Sequence, residues 1–232
     1  MGRRLSFLVR TMLSSLAPIF TNYELLCAEA DALFEQVRRR HPDCVACSLG
    51  CSDCCHAVFD LSLVEALYLN RQFHQTIAFG PRHSAIIDAA GDADRLAARV
   101  KRALYTKSKD GNTRRIMEDA ARTRIRCPLL DDGDSCRLYE YRPVTCRLYG
   151  VPAVIDGEAH VCGKSAFRKG QAYPTVALEK IQDRLAAMSL EIARTLGTRF
   201  KELHLVYVPV SMALLTRYDA QHLGLDPEKQ ES

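Results

Sequence analysis

Apolar residues recur at helical spacing over most of the chain, and the breaks in that rhythm mark where its elements begin and end. Tyr23, Leu26, Cys27, Ala30, Leu33, Phe34 and Val37 follow one another by three and four, which places them on one stripe of a helix. Thr21 and Glu24 have the spacing of a capping box at its start, and His41-Pro42 ends it. A second capping box, Ser62 with Glu65, opens a helix through about Phe73. From near Pro81 to Lys107, Ile86, Ala90, Ala93, Ala97, Val100 and Leu104 share a side, with Gly91 weakening the middle. Asn112 after a polar turn predicts the cap of a fourth helix reaching Arg124. Late in the chain Leu178, Ile181, Leu185, Met188, Ile192 and Leu196 repeat the helical period, and Gly197 has the place of a C-cap. Leu205 to Val208 reads as a short strand before Pro209 starts a last helix.

This pattern predicts a mainly α protein: an N-terminal arm over 1–20, a single helical domain over 21–222 and a disordered tail over 223–232. A chain of 232 residues, 47% of them hydrophobic, can bury one substantial core. The balance of 32 basic against 28 acidic residues is too mild to argue for nucleic acid, and the dense run Arg38-Arg39-Arg40 closes a helix, where it suits the dipole. No apolar run approaches the ~18 residues of a membrane span. The start, Met1 to Arg10, has a signal peptide's positive charge, but Arg10 and Pro18 interrupt it and no clean cleavage site follows. The expectation is therefore a cytoplasmic protein.

Against that plain background stand ten cysteines. Cys44, Cys47, Cys51, Cys54 and Cys55 put five thiols into twelve residues; Cys127, Cys136, Cys146 and Cys162 follow after about seventy residues. A disulfide framework belongs to short secreted domains, whereas this chain is long, helical in pattern and rich in charge. Thiolates gathered in a loop make sense as ligands, because a bound cation depresses their pKa and offsets their mutual repulsion. The expectation is a soft-metal or iron–sulfur site assembled from two distant segments. Four thiolates round zinc or an oxidised cluster leave a net charge near about −2, so Arg142 and Arg147, next to candidate ligands, are candidate cofactor-binding residues. Arg126 and Arg137 read equally well as surface arginines. Cys27 lies on the first helix's apolar stripe and reads as a small buried hydrophobe. Adjacent Cys54 and Cys55 are expected to diverge and to face different things, which leaves open one site or two. Asp131-Asp132-Gly133-Asp134 lacks the ligand spacing of a calcium loop and reads as a solvated turn.

Cys47, Cys51 and Cys54 have the C-x3-C-x2-C spacing of radical S-adenosylmethionine enzymes, but those are barrels rich in strands and carry an aromatic where Asp53 stands. A different likeness is more specific. Cys47, Cys51, Cys54-Cys55, Cys127-Pro-Leu-Leu, Cys136-Arg-Leu-Tyr, Arg142-Pro143, Cys146-Arg147 and Cys162 resemble the CxxCxxCC cysteine-cluster family, the YkgJ-type zinc- or iron-chelating domain, over about Cys44 to Cys162. The resemblance implies a small bacterial metal-binding protein with Cys47, Cys51, Cys54, Cys55, Cys127, Cys136, Cys146 and Cys162 as ligands. Larger relatives include the flagellin lysine-N-methylases, which act with S-adenosylmethionine. Here three residues rather than two separate Cys47 from Cys51, and Cys44 is extra, so Cys44 stands as an alternative first ligand.

Three functions follow as expectations. The first is an iron–sulfur protein, 4Fe–4S in type, with zinc as the rival metal. The second is a methylase-like enzyme acting on protein lysines, with S-adenosylmethionine bound at an open iron; no Gly-x-Gly-x-x-Gly follows a strand to suggest a Rossmann cofactor domain. The third is a metal-chelating or redox protein that docks on a protein partner through the helix over 175–197.

Overall fold

The computed structural model describes residues 14–48, 50–108, 123–155, 157–168 and 170–225. Among them the chain is mainly α-helical: α1 (Ala17–Arg40), α2 (Leu63–Thr76), α3 (Pro81–Ser108), α4 (Val144–Leu148), α5 (Leu178–Leu196) and α6 (Val210–Leu215). Short strands join them: β1 (Asp60–Leu61), β2 (Ala153–Ile155), β3 (Glu158–His160), β4 (Val176–Ala177) and β5 (Val208–Pro209). β1 pairs antiparallel with β5, Asp60 opposite Pro209. The other sheet has the order β3-β2-β4, antiparallel between β2 and β3 and parallel between β2 and β4. No helix among the described residues is long and apolar enough to cross a membrane.

α2 organises the packing because it is apolar nearly all round, every residue from Leu63 to Leu69 being buried. Leu63, Val64, Leu67 and Tyr68 join a core with Phe20, Tyr23 and Leu26 of α1 and Ile181, Leu185 and Ile192 of α5. Ala66, Leu69 and Phe73 join a second core with Ile86 and Ala90 of α3 and Ala213 and Leu214 of α6. The expected capping box is present, the Glu65 carboxylate accepting from the Ser62 amide and hydroxyl at 3.0 and 2.8 Å. Buried Ser189 of α5 adds an acceptor for the Val64 amide at 3.3 Å, so the second turn-end donor of α2 is met from a neighbouring helix.

Several expectations change. α1 begins at Ala17, within the expected arm, with Pro18 in its first turn, where a missing N–H costs nothing. Thr21 is therefore inside the helix and donates back to the Ala17 carbonyl, while Glu24 accepts from the Tyr68 hydroxyl at 2.9 Å, so the two form no cap. The remainder of the arm, 1–13, and the expected helix over 112–122 lie outside the described residues; Arg124 is extended and bridges to Ala57. The chain stays in the core beyond 222, since Leu223 and Leu225 are buried in the first core. The apolar stripe of α5 is likewise packed into the first core through Ile181, Leu185, Ile192 and Leu196.

Candidate metal centre

The first cysteine segment is a loop that tightens into a 3-10 turn over Asp53–His56, stabilised by amide-to-carbonyl bonds Cys51 to Ser48 and Cys55 to Ser52. The second segment lies along it as a short antiparallel ladder: Ile125 N donates to His56 O, Ala57 bridges Arg124, and Cys127 N donates to Cys55 O at 2.7 Å. Pro128 lets this strand-like geometry stand at Cys127. The chain then doubles back, with Leu130 bridging Cys136, through a turn in which the Asp131 carboxylate accepts from the Gly133 and Ser135 amides. That satisfied turn is what the sequence predicted for the acidic run.

A second 3-10 turn (Tyr139–Tyr141) and Pro143 lead into α4, which carries Cys146 and Arg147. The buried Glu65 serves twice here, its other oxygen accepting from the Val144 amide at 3.3 Å, so the cap of α2 also holds the start of α4. Arg147 fixes the other side: its guanidinium donates to the Asp31 carboxylate of α1, to Arg142 O at 2.9 Å and to Glu140 O. Arg142 shares Asp31 at 3.0 Å and lies over the Tyr139 ring at 4.0 Å from its centroid. Both arginines reach the site, but Arg147 spends its donors on the frame around the cysteines.

Seven of the eight candidate ligands, Cys47, Cys51, Cys54, Cys55, Cys127, Cys136 and Cys146, line one cavity of about 560 Å³, with Arg126, Arg142 and Arg147 among its walls. Cys44 does not line it, whereas Cys47 does. Cys162 stands at the edge. Its thiol lies 3.5 Å from Asp53 Oδ2, which also accepts from the Tyr149 hydroxyl at 3.0 Å, while Oδ1 takes Arg124 at 2.6 Å. Tyr149 O in turn accepts from the Cys47 thiol at 3.4 Å. Asp53, Tyr149, Asp31 and Arg124 thus belong to the site without having been singled out in the sequence. Only the position of Asp53 between Cys51 and Cys54 signalled any of them.

All ten cysteines are free thiols. Cys54 and Cys55 are consecutive in the tight 3-10 turn, and both line the cavity. The neighbouring Cys55 thiol, helped by Arg142, brings Cys54 down to about 7 against the opposing effect of burial, and Cys54 in turn pushes Cys55 up. Burial pushes Cys47 and Cys127 up to about 12 and raises Cys136, Cys146 and Cys162. Cys27 is also raised by burial and sits in the first core, as its place on the stripe predicted. Any cation that binds the raised thiols must displace their protons.

Among the described residues no three Cys, His, Asp or Glu side chains converge on a single ion-sized point. The sulfurs line a chamber instead of closing a shell. By chemistry the donor set, thiols with cationic neighbours, suits thiophilic metals: zinc, or iron bridged by sulfide. Compared with family models, with curated proteins and with solved structures, the chain matches none of them.

Proposed function

We propose that the chain is a metal-binding protein in which cysteines from two distant segments hold an iron–sulfur cluster, 4Fe–4S in type, with zinc as the alternative occupant. One observation carries this reading: Cys47 to Cys55, Cys127, Cys136 and Cys146 arrive from separate stretches of chain at one cavity, as free thiols. So many free, half-exposed thiols round one cavity beside arginines exceed what packing calls for. The residues that would hold the group are the cysteines; Arg142 would offset the charge of the thiolates, and Asp31 and Glu65 keep the loops in place. When bound, such a cluster supplies electron transfer or a Lewis-acidic iron.

The test is anaerobic purification followed by iron, acid-labile sulfide and zinc analysis. Brown protein with absorbance in the ~400 nm region is the expected result. Colourless protein with stoichiometric zinc overturns the iron reading, and protein free of both metals overturns the function.

A second, catalytic reading draws support from the cavity's lining, which besides the thiols includes Phe34, Val58, Phe59, Ala97 and Val210. Space of this kind suits a cosubstrate such as S-adenosylmethionine, with a protein lysine as acceptor. S-adenosylmethionine titrated into the loaded protein would change its EPR spectrum under this reading and leave it unchanged under the first.

A further inference from the structure

We propose that the eight cysteines make two four-thiolate sites side by side: an outer one of Cys47, Cys51, Cys54 and Cys162, and an inner one of Cys55, Cys127, Cys136 and Cys146, each for zinc or an iron–sulfur group. The proposal rests on the metal-binding reading above and divides its ligands.

The division follows the way the chain is held together. The outer set hangs on Tyr149 and Asp53. The Tyr149 carbonyl takes the Cys47 thiol at 3.4 Å, its hydroxyl takes Asp53 at 3.0 Å, and Asp53 holds the Cys162 thiol at 3.5 Å. Asp53 is itself anchored by Arg124, through both its carboxylate and its carbonyl. One residue pair thus draws together the beginning of the first cysteine loop and the last cysteine of the chain. Gly150 leaves the room for this, because a Cβ there would lie 2.3 Å from the Cys47 sulfur.

The inner set is held by a different frame, made of backbone. Cys127 is bonded through its amide to Cys55, Cys136 is brought back by its bridge to Leu130, and Cys146 is set by the Val144 amide on buried Glu65. The adjacent pair is explained by this arrangement: one thiol serves each site, and their succession in the 3-10 turn places the two occupants next to each other.

The full chain is loaded anaerobically with zinc and, separately, with ferrous iron and sulfide, and metal per chain is measured for the parent, Cys162→Ser, Cys136→Ser and the double variant. Expected are about two zinc ions or about eight irons in the parent. Each single variant should keep about half and the double variant almost none. Far-UV circular dichroism identifies any variant that fails to fold. A measurement on the parent alone backs the variants: metal release to a chelator should run in two phases, the faster from the outer site, whose Cys162 stands at the edge. A parent that binds one zinc or one four-iron group, single-phase release, or single variants that lose all metal while folded would overturn the two-site division and leave metal binding intact. A parent that binds no metal would overturn both.

Discussion

Gly150→Ala places one methyl group where the geometry leaves least space for it. The added Cβ would lie 2.3 Å from the Cys47 sulfur and 3.7 Å from both Cys47 Cβ and Phe34 Cε2. Ordinary contacts between such atoms are roughly 3.5–4.0 Å, so the sulfur must retreat by more than about 1 Å. Gly150 also has a φ of 105°, a conformation that costs an alanine about 1–3 kcal/mol. Overpacking adds about 1–3 kcal/mol, for a total of about 2–6 kcal/mol. Gly157 separates the two contributions: its φ is 77° and nothing lies within 4 Å of its added Cβ, so Gly157→Ala costs the backbone part alone. Urea unfolding of the metal-free chains measures both, and metal analysis after loading measures the consequence for Cys47. Gly150→Ala should be the less stable by the overpacking difference and should bind less metal, whereas Gly157→Ala should load fully. Equal stability and equal loading of the two variants would refute the account of Cys47 given above.

Glu65 is raised by burial, so its contribution to stability is complete below the ordinary glutamate value of about 4.3 and is lost as pH rises through its higher folded value. Unfolding free energy should decline with pH from that point, and Glu65→Gln should flatten the decline. Arg147→Lys replaces a fork that serves Asp31, Arg142 O and Glu140 O by a single point donor, and chemical denaturation should show a loss of about 1–3 kcal/mol. Cys27→Ala should leave metal content unchanged by elemental analysis, because Cys27 lies in the helical core. Removing metal with a chelator should speed amide exchange across 44–55, 124–136 and 144–162, since a shared ligand set closes long loops; unchanged exchange would make the metal peripheral.

The helices were legible where period and punctuation agreed. Ser62 with Glu65, the stripe of α5 and Gly197 at its end all stand as the sequence predicted, with Gly197 at a φ of 59°. Thr21 with Glu24 has the same spacing as Ser62 with Glu65 and caps nothing, because the apolar residues Leu16, Ile19 and Phe20 extend the buried stripe by a turn and carry the helix past it. Local spacing could not weigh a tertiary contact that lies upstream. The cysteines announced themselves by density, but their supports did not. Asp31 and Glu65 look like an ordinary helix-surface acid and an ordinary cap; only the fold brings them to Arg147 and Val144.

The bond from Cys127 N to Cys55 O has a consequence for the order of events during synthesis. At roughly 5–20 residues per second, about seventy residues take on the order of 4–14 s to emerge. For that interval the first five thiols are outside the ribosome with none of the second segment to pack against. Cys162 arrives later still, so the outer set is the last to be completed. A nascent chain of this kind exposes its first five thiols to oxidants for seconds before the second segment can pair with them.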